Sequence, residues 1–159
     1  MQPRAIVKYP PALQLTRTLD APVDLAWKVI TEPEHVSKWW GPDGFRVDIS
    51  KMDVKPGGEW NLVLRGPDGT DFDNRIIYSE VDRHKKLVLQ YLTTPKHTTT
   101  ITFEGQGDVT LITWHMTFES EEQLTQLMNE FQVDRALEQN VGKWNQYLVN
   151  FRSSSFNKA

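Results

Sequence analysis

Apolar and polar residues alternate with a period of two through the middle of the chain, from Phe45 to Phe118. Such alternation is typical of strands that bury one face. Turn sequences such as Pro67-Asp68-Gly69 separate the alternating runs without an intervening helical pattern, which indicates neighbouring antiparallel strands. This region predicts about six strands, and a further strand is predicted earlier, at about 13–19.

Helical spacing of apolar residues precedes the alternating region. Pro22 suits the first position of a helix, where its missing N–H would be unpaired in any case. Thr31 and Glu34 have the spacing of a capping box, in which two side chains pair with free backbone N–H groups. We therefore expect a second short helix after the first, with Trp39 and Trp40 on its buried face.

Helical spacing returns after the alternating region. Ser120 and Gln123 predict a helix start, and apolar residues then recur at helical spacing as far as Phe151. The pattern is interrupted between 132 and 136, which indicates a bend or a short helix that leads into a long one. Trp144 on the long helix is expected to face the sheet.

The order of elements predicts an α+β fold. An antiparallel sheet of about six or seven strands, curved by its own twist, would wrap around the long C-terminal helix, with two short helices after the first strand. We expect one domain over 13–152, an extended arm over 1–12 and a tail over 153–159. This geometry leaves space between the concave face of the sheet and the helix.

Composition and charge exclude several classes of function. The 159 residues carry a net charge of -3 and no cysteine. The lack of a basic face argues against binding to nucleic acid, and the lack of cysteine excludes disulfides and a cysteine nucleophile. No apolar run is long enough to insert into a membrane, and no export signal is apparent, so we expect a cytoplasmic protein. The six tryptophans indicate a large apolar core or a pocket.

Several short motifs together resemble the START-like (SRPBCC, Bet v-like) superfamily, in particular the branch homologous to the activator of heat shock protein 90 ATPase. The resemblance covers about 13–151. It implies the helix-grip fold, in which a curved sheet grips a C-terminal helix over a ligand cavity. The motifs are Ala21-Pro22 with Trp27, Thr31-Glu32-Pro33-Glu34, Trp39-Trp40-Gly41-Pro42, Pro56-Gly57-Gly58, Gly66-Pro67-Asp68-Gly69 and Gly142 with Trp144.

In the helix-grip interpretation, Phe72, Asn74 and Tyr78 share the strand face that would line the cavity. Asn74 and Tyr78, together with Gln90 of the next strand, would be polar groups among aromatic ones, as in many small-molecule sites. The alternative is that Asn74 and Tyr78 bond to each other or to a buried water. The predicted cavity residues are Trp39, Trp60, Phe72, Asn74, Tyr78, Gln90, Phe103, Trp114, Met116 and Trp144.

The histidines predict neither a metal site nor a catalytic base. No two of them have a metal-ligand spacing. His84 and His97 are expected to be solvated, and His115 to face outward. Trp39 and Trp40 are adjacent and point about 100° apart on a helix, so one can be buried while the other lies at the rim of a pocket or at an interface. We expect no cofactor and no metal.

Three functions remain open. The favoured one is a non-enzymatic protein that binds a hydrophobic or aromatic small molecule, such as a lipid or polyketide, between sheet and helix. The second is a cyclase or hydratase that positions its substrate with Asn74, Tyr78 and Gln90. The third is an interaction protein that stimulates a chaperone ATPase, with an exposed Trp40 on its surface.

Overall fold

Antiparallel strands dominate the computed structural model, which describes residues 5–9, 11–93 and 95–157, with side chains for 11–93 and 95–153. The strands in this part of the chain are β1 Ala5–Tyr9, β2 Ala12–Leu19, β3 Arg46–Met52, β4 Glu59–Arg65, β5 Asp71–Asp82, β6 Lys86–Tyr91, β7 His97–Gln106 and β8 Val109–Phe118. They form one sheet in the order β1-β2-β8-β7-β6-β5-β4-β3. The helices are α1 Val23–Thr31, α2 Pro33–Val36, α3 Glu121–Phe131 and α4 Val133–Asn157.

The predicted fold class is confirmed: a curved antiparallel sheet, two short helices after the first predicted strand, and a long C-terminal helix. The region predicted as an arm contributes β1, which pairs with β2 so that Val7 lies opposite Gln14. Residues 1–4 and 10 of that arm lie outside the described residues. The sheet therefore has one more edge strand than the alternation predicts.

The predicted capping box at Thr31 and Glu34 is wrong. Thr31 is the last residue of α1, and its hydroxyl donates to the carbonyl oxygen of Trp27 at 2.7 Å. The residue before α2 is Glu32, which makes no side-chain capping bond. Pro33 begins α2 instead, because its fixed φ suits the first helical position.

The second helix is also shorter than predicted. α2 ends at Val36, and Trp39 and Trp40 lie in the turns that follow it. Both indoles are buried, with 2% and 6% of their surface exposed. The predicted burial of the two side chains is confirmed, but they are not on a helix face: they belong to the segment that follows α2.

The C-terminal helices agree with the sequence pattern. The Ser120 hydroxyl accepts a hydrogen bond from the backbone N–H of Gln123 at 3.0 Å, which confirms the predicted cap of α3. Gln132 then adopts a left-handed conformation, with φ 49° and ψ 50°, and separates α3 from α4. The predicted bend is therefore a single residue that turns one helix into the next.

The main core lies between α4 and the concave face of the sheet. Leu137, Val141, Trp144 and Leu148 recur along one side of α4, and each is less than 5% exposed. The prediction that Trp144 faces the sheet is confirmed. A second, smaller core lies under α3 and contains Leu13, Phe118, Leu124 and Leu127. Within the described residues, none of the helices combines the length and apolar character that crossing a bilayer requires.

Candidate functional site

The first turns of α4 do not fill the space above the sheet. They leave an inner chamber of about 160 Å³ between α4, β4–β8 and the turn after α2. The chamber is lined mainly by apolar and aromatic side chains. Its residues are Trp40, Gly41, Pro42, Leu62, Leu64, Asn74, Ile76, Tyr91, His97, Trp114, Met116, Val133, Ala136, Leu137 and Asn140.

The chamber continues outward into a larger groove of about 620 Å³, the outer groove, beside the junction of α3 and α4. Five residues border both spaces, which places the two spaces side by side: Pro42, Leu64, Asn74, Val133 and Ala136. The remaining residues of the outer groove are Phe45, Phe72, Pro95, Leu127, Phe131, Gln132, Arg135 and Gln139.

The Trp-Trp-Gly-Pro sequence forms one side of the chamber and is held to α4 by polar bonds. The backbone N–H of Gly41 donates to Asn140 Oδ1 at 2.8 Å. Lys143 Nζ donates to the carbonyl oxygens of Gly41 and Pro42 at 3.0 and 3.2 Å, and its burial lowers its pKa. Gly41 has a φ of +104°, and a Cβ there would lie 3.0 Å from Leu64 Cδ2. The turn therefore requires glycine and fixes this side of the chamber.

His97 lies at the chamber and is buried, so the prediction that it is solvated is wrong. Only 7% of its surface is exposed. Its Nδ1 donates to the carbonyl oxygen of Pro95 at 2.7 Å, and Tyr91 stacks on the ring with centroids 4.0 Å apart. Burial lowers the pKa of His97 to about 4, against the opposing effect of the Pro95 bond, so the ring is neutral at pH 7.

The exposed Trp40 that a chaperone contact would use is not observed. The Trp40 ring contacts the rings of Trp60 and Trp114, with centroids 4.7 and 5.7 Å apart. Trp39, its neighbour, stacks on Trp144 with planes only 5° apart and donates from Nε1 to the carbonyl oxygen of Val29 at 3.0 Å. The two adjacent indoles point in different directions, as expected, and both are buried.

The structure distributes the ten predicted cavity residues over four places. Asn74, Trp114 and Met116 line the inner chamber, and Phe72 and Asn74 line the outer groove. Gln90 lies on the face of β6 opposite to the inward-facing Leu89 and Tyr91. Its side-chain oxygen accepts a hydrogen bond from the Thr98 hydroxyl at 2.8 Å. The remaining five are packed together in the buried core and border neither space: Trp39, Trp60, Tyr78, Phe103 and Trp144.

The alternative of a hydrogen bond between Asn74 and Tyr78 is not observed. Asn74 Nδ2 donates to the carbonyl oxygen of Phe72 at 3.1 Å. The Tyr78 hydroxyl is buried without a partner among the described residues, and burial raises its pKa. The indole N–H groups of Trp60 and Trp114 are buried without partners as well. Several polar atoms therefore face the interior unsatisfied, which is uncommon in proteins.

Sequence reasoning missed Tyr91 and His97 in the chamber, although a signal for both exists. Tyr91 continues the inward alternation of Leu89 on β6, and His97 begins the inward alternation of Ile101 on β7. The helical residues of the chamber were missed too. Val133, Ala136, Leu137 and Asn140 lie at helical spacing on one face of α4.

One group of side chains outside the chamber has the composition of a cation site. Glu32, Glu34 and His35 each place a possible ligand atom within 4.8 Å of the others. Glu34 is exposed, and His35 Nδ1 is bonded to the Tyr147 hydroxyl at 2.7 Å. None of these residues lines the chamber or the groove.

The fold is shared with solved bacterial proteins. A crystal structure of a Nitrosomonas europaea protein matches with a TM-score of 0.81 and 26% identity, over 89% of this chain and 96% of that one. A solution structure from Arthrobacter aurescens matches with a TM-score of 0.83 and 21% identity, over 92% and 91%. CalU16 of Micromonospora echinospora matches with a TM-score of 0.62 and 18% identity, over 93% and 74%. No curated protein matches.

A match to a protein-family model identifies the family more specifically than these structural similarities do. Residues 20–153 match the model of AHSA1, described as activator of Hsp90 ATPase homolog 1-like protein. The matched range begins just before α1 and extends far into α4, so it includes the turn that holds the chamber and the helix that covers it. The chain therefore belongs to the AHSA1 family of the START-like superfamily.

Proposed function

We propose that this protein binds a hydrophobic small molecule in the inner chamber and the outer groove. The observation that carries the proposal is that the two spaces are adjacent and share five lining residues. A chamber of about 160 Å³, lined largely by buried side chains, lies next to an apolar groove of about 620 Å³ whose border includes exposed ones. A ligand can therefore enter from solvent and bury one end beneath α4.

The lining has the composition expected of a small-molecule site. Apolar and aromatic groups dominate, and a few polar side chains interrupt them, which is the usual pattern. Asn74 lies where the groove joins the chamber, and His97 and Asn140 lie at the chamber. The groove volume is in the range of about 300–1,000 Å³ that is typical of ligand pockets.

The surface at the entrance supports the same function. Phe72 and Phe131 border the groove with 37% and 57% of their surface exposed. Contiguous apolar surface of this kind commonly marks a binding groove, because water contact with it is unfavourable. A hydrophobic ligand would remove that contact.

The arrangement favours binding over the two other functions. The polar groups considered for a cyclase or hydratase are dispersed, since Tyr78 is packed in the core and Gln90 bonds to Thr98. The exposed Trp40 considered for a chaperone contact is buried. Neither function has a specific observation in its favour among the described residues.

Filling the boundary between the two spaces tests the proposal. Ala136 borders both, so Ala136→Phe would place a ring where the ligand is expected. Asn150→Phe is the matched control, because Asn150 is exposed on the same helix and borders neither space. Tryptophan fluorescence is followed during titration with a flavonoid, a fatty acid and a polyketide.

We expect saturable quenching by at least one of these compounds, with affinity about tenfold weaker in Ala136→Phe, the factor that corresponds to ~1.4 kcal/mol. Asn150→Phe is expected to bind like the parent protein. The proposal fails if none of the compounds binds, or if Ala136→Phe binds as tightly as its control.

A further inference from the structure

A single positive charge borders the outer groove. Among the described residues on that border, Arg135 is the one with a charged side chain. The polar residues beside it are the neutral Asn74, Gln132 and Gln139, and the others are apolar or aromatic. The groove therefore combines a largely apolar surface with one cation and, within the described part of the chain, no carboxylate.

The guanidinium group of Arg135 lies on the groove side of the first turn of α4. Its Nη1 atom donates a long hydrogen bond to Oε1 of Gln132, at 3.4 Å. Gln132 borders the groove. It does not border the polar surface pocket that Arg135 shares with Asp43 and Glu138. The bond to Gln132 therefore places Nη1 beside the groove and not beside these two carboxylates.

The charge of Arg135 is not used by an ion pair within the part of the chain that the structure describes. Arg65, on the sheet, differs in this respect, because its guanidinium group bonds to the carboxylates of Asp48 and Asp71. Arg135 is exposed and has only the long bond to Gln132. Its N–H groups are therefore available to an anion from outside the protein.

We propose that the outer groove binds amphipathic carboxylates, whose carboxylate group pairs with Arg135 while the apolar chain lies in the groove. This inference rests on the proposed binding function and specifies its ligand class. The planar fork of guanidinium N–H groups matches the two oxygens of a carboxylate. The head group would stay in contact with water beside Arg135, and the chain would cover the exposed surfaces of Phe72 and Phe131.

The two parts of such a ligand contribute differently to its binding. Burial of the chain supplies most of the affinity, about fourfold for each methylene group that is fully buried. The ion pair contributes less, because water and salt screen an exposed pair of charges. It nevertheless distinguishes a carboxylate from a neutral or a cationic head group. The chain therefore sets how tightly an amphiphile binds, and Arg135 sets which head group is preferred.

The experiment compares three single-chain amphiphiles of similar length: decanoate, decanol and decyltrimethylammonium. Their affinities are measured by isothermal titration calorimetry at pH 7 in low salt. Arg135→Gln removes the charge and keeps a polar side chain. Arg83→Gln is the matched control, because it changes the net charge equally. Arg83 is exposed in the turn between β5 and β6 and borders neither chamber nor groove.

In the parent protein and in Arg83→Gln, decanoate is expected to bind about fivefold more tightly than decanol, which corresponds to ~1 kcal/mol. Decyltrimethylammonium is expected to bind more weakly than decanol. In Arg135→Gln the ratio of the decanoate and decanol affinities is expected to fall to about one.

Equal affinities for decanoate and decanol in the parent protein, or an unchanged ratio in Arg135→Gln, overturn the inference and leave the binding function intact. If none of the three amphiphiles binds to the parent protein, the inference is overturned as well. The binding function is then decided separately, by the fluorescence titration with the other compounds.

A second measurement needs no variant. The ratio of the decanoate and decanol affinities is measured again in about 1 M salt, where the Debye length falls to ~3 Å and exposed charges are screened. We expect the two affinities to converge, because the chain makes the same apolar contacts in both compounds. A ratio that does not change with salt overturns the inference, since it would not arise from the charge of an exposed arginine.

Discussion

The start and the middle of α4 cover the same sheet in different ways. Near its middle, Trp144 fills the space completely, with stacking against Trp39 and edge contacts with Phe103 and Trp114. Near its start, Ala136 covers a chamber and a groove. We call the first region the packed half and the second the open half.

The difference comes from side-chain volume along one helical stripe. Both halves present apolar residues to an apolar sheet, so hydrophobicity does not distinguish them. A tryptophan projects much farther from the helix axis than an alanine does. The open half is thus a consequence of small side chains at the start of α4, where the Trp-Trp-Gly-Pro turn and α3 hold the surroundings apart.

The largest effect on stability is expected from Trp144→Ala, which would leave a cavity in the packed half. Replacing a buried aromatic side chain by alanine costs about 3–5 kcal/mol, because burial is lost and a cavity remains. We expect the free energy of unfolding to fall by about 4 kcal/mol, as measured by urea denaturation.

Trp40→Ala provides the comparison in the open half. Part of the Trp40 ring already borders empty space, so fewer contacts are lost there. The loss of stability is expected to be smaller than for Trp144→Ala. Equal losses, or a larger loss at Trp40, would contradict the distinction between the two halves.

The second effect concerns the burial of His97 in the open half. Its pKa is lowered from an ordinary value of about 6.5 to about 4 in the folded protein. Between these values the unfolded chain takes up a proton that the native protein does not bind. The free energy of unfolding should therefore fall as the pH falls from about 6.5 to about 4, by up to about 3 kcal/mol.

His97→Phe separates this contribution from that of the other titrating groups. Urea denaturation is measured at several pH values for both proteins, and the two pH dependences are subtracted. We expect the parent to lose more stability toward low pH than the variant. If the free energy of unfolding depended on pH in the same way in both proteins, the pKa of His97 would not be lowered by burial, and the prediction would be wrong.

The smallest effect is expected at the entrance of the open half. Phe131 is 57% exposed, so Phe131→Gln should change the free energy of unfolding by no more than about 0.5 kcal/mol. The same change removes apolar surface from the groove and should weaken, several-fold, the binding of the compound that quenches tryptophan fluorescence in the titration. A loss of stability above 1 kcal/mol would show that Phe131 belongs to the packed core.

Sequence periodicity predicted the elements well, because burial of one face imposes a period of two on strands and of 3.6 on helices. The alternating region is predicted to end at Phe118, which is the last residue of β8, and the cap at Ser120 is correct. The predicted capping box at Thr31 is wrong because two side chains at the right spacing can bond to other groups. The Thr31 hydroxyl bonds to the Trp27 carbonyl oxygen within α1.

The cavity residues were harder to predict than the fold. The alternation along β5 places Asn74 and Tyr78 on one face, yet Asn74 borders the chamber and Tyr78 is packed against Trp60. Which part of a face stays uncovered depends on where α4 crosses the sheet. His97 was missed for a related reason: a histidine after proline resembles a loop residue until its alternation with Ile101 is considered.

The unpartnered indoles give the protein a set of internal spectroscopic probes. The N–H groups of Trp60, Trp114 and Trp144 are buried without hydrogen bonds among the described residues, and only Trp114 borders the chamber. Their proton resonances should therefore lie upfield of those of hydrogen-bonded indoles and exchange slowly with solvent. A compound that enters the chamber should move the Trp114 resonance first, whereas a general loosening of the fold should move all three together.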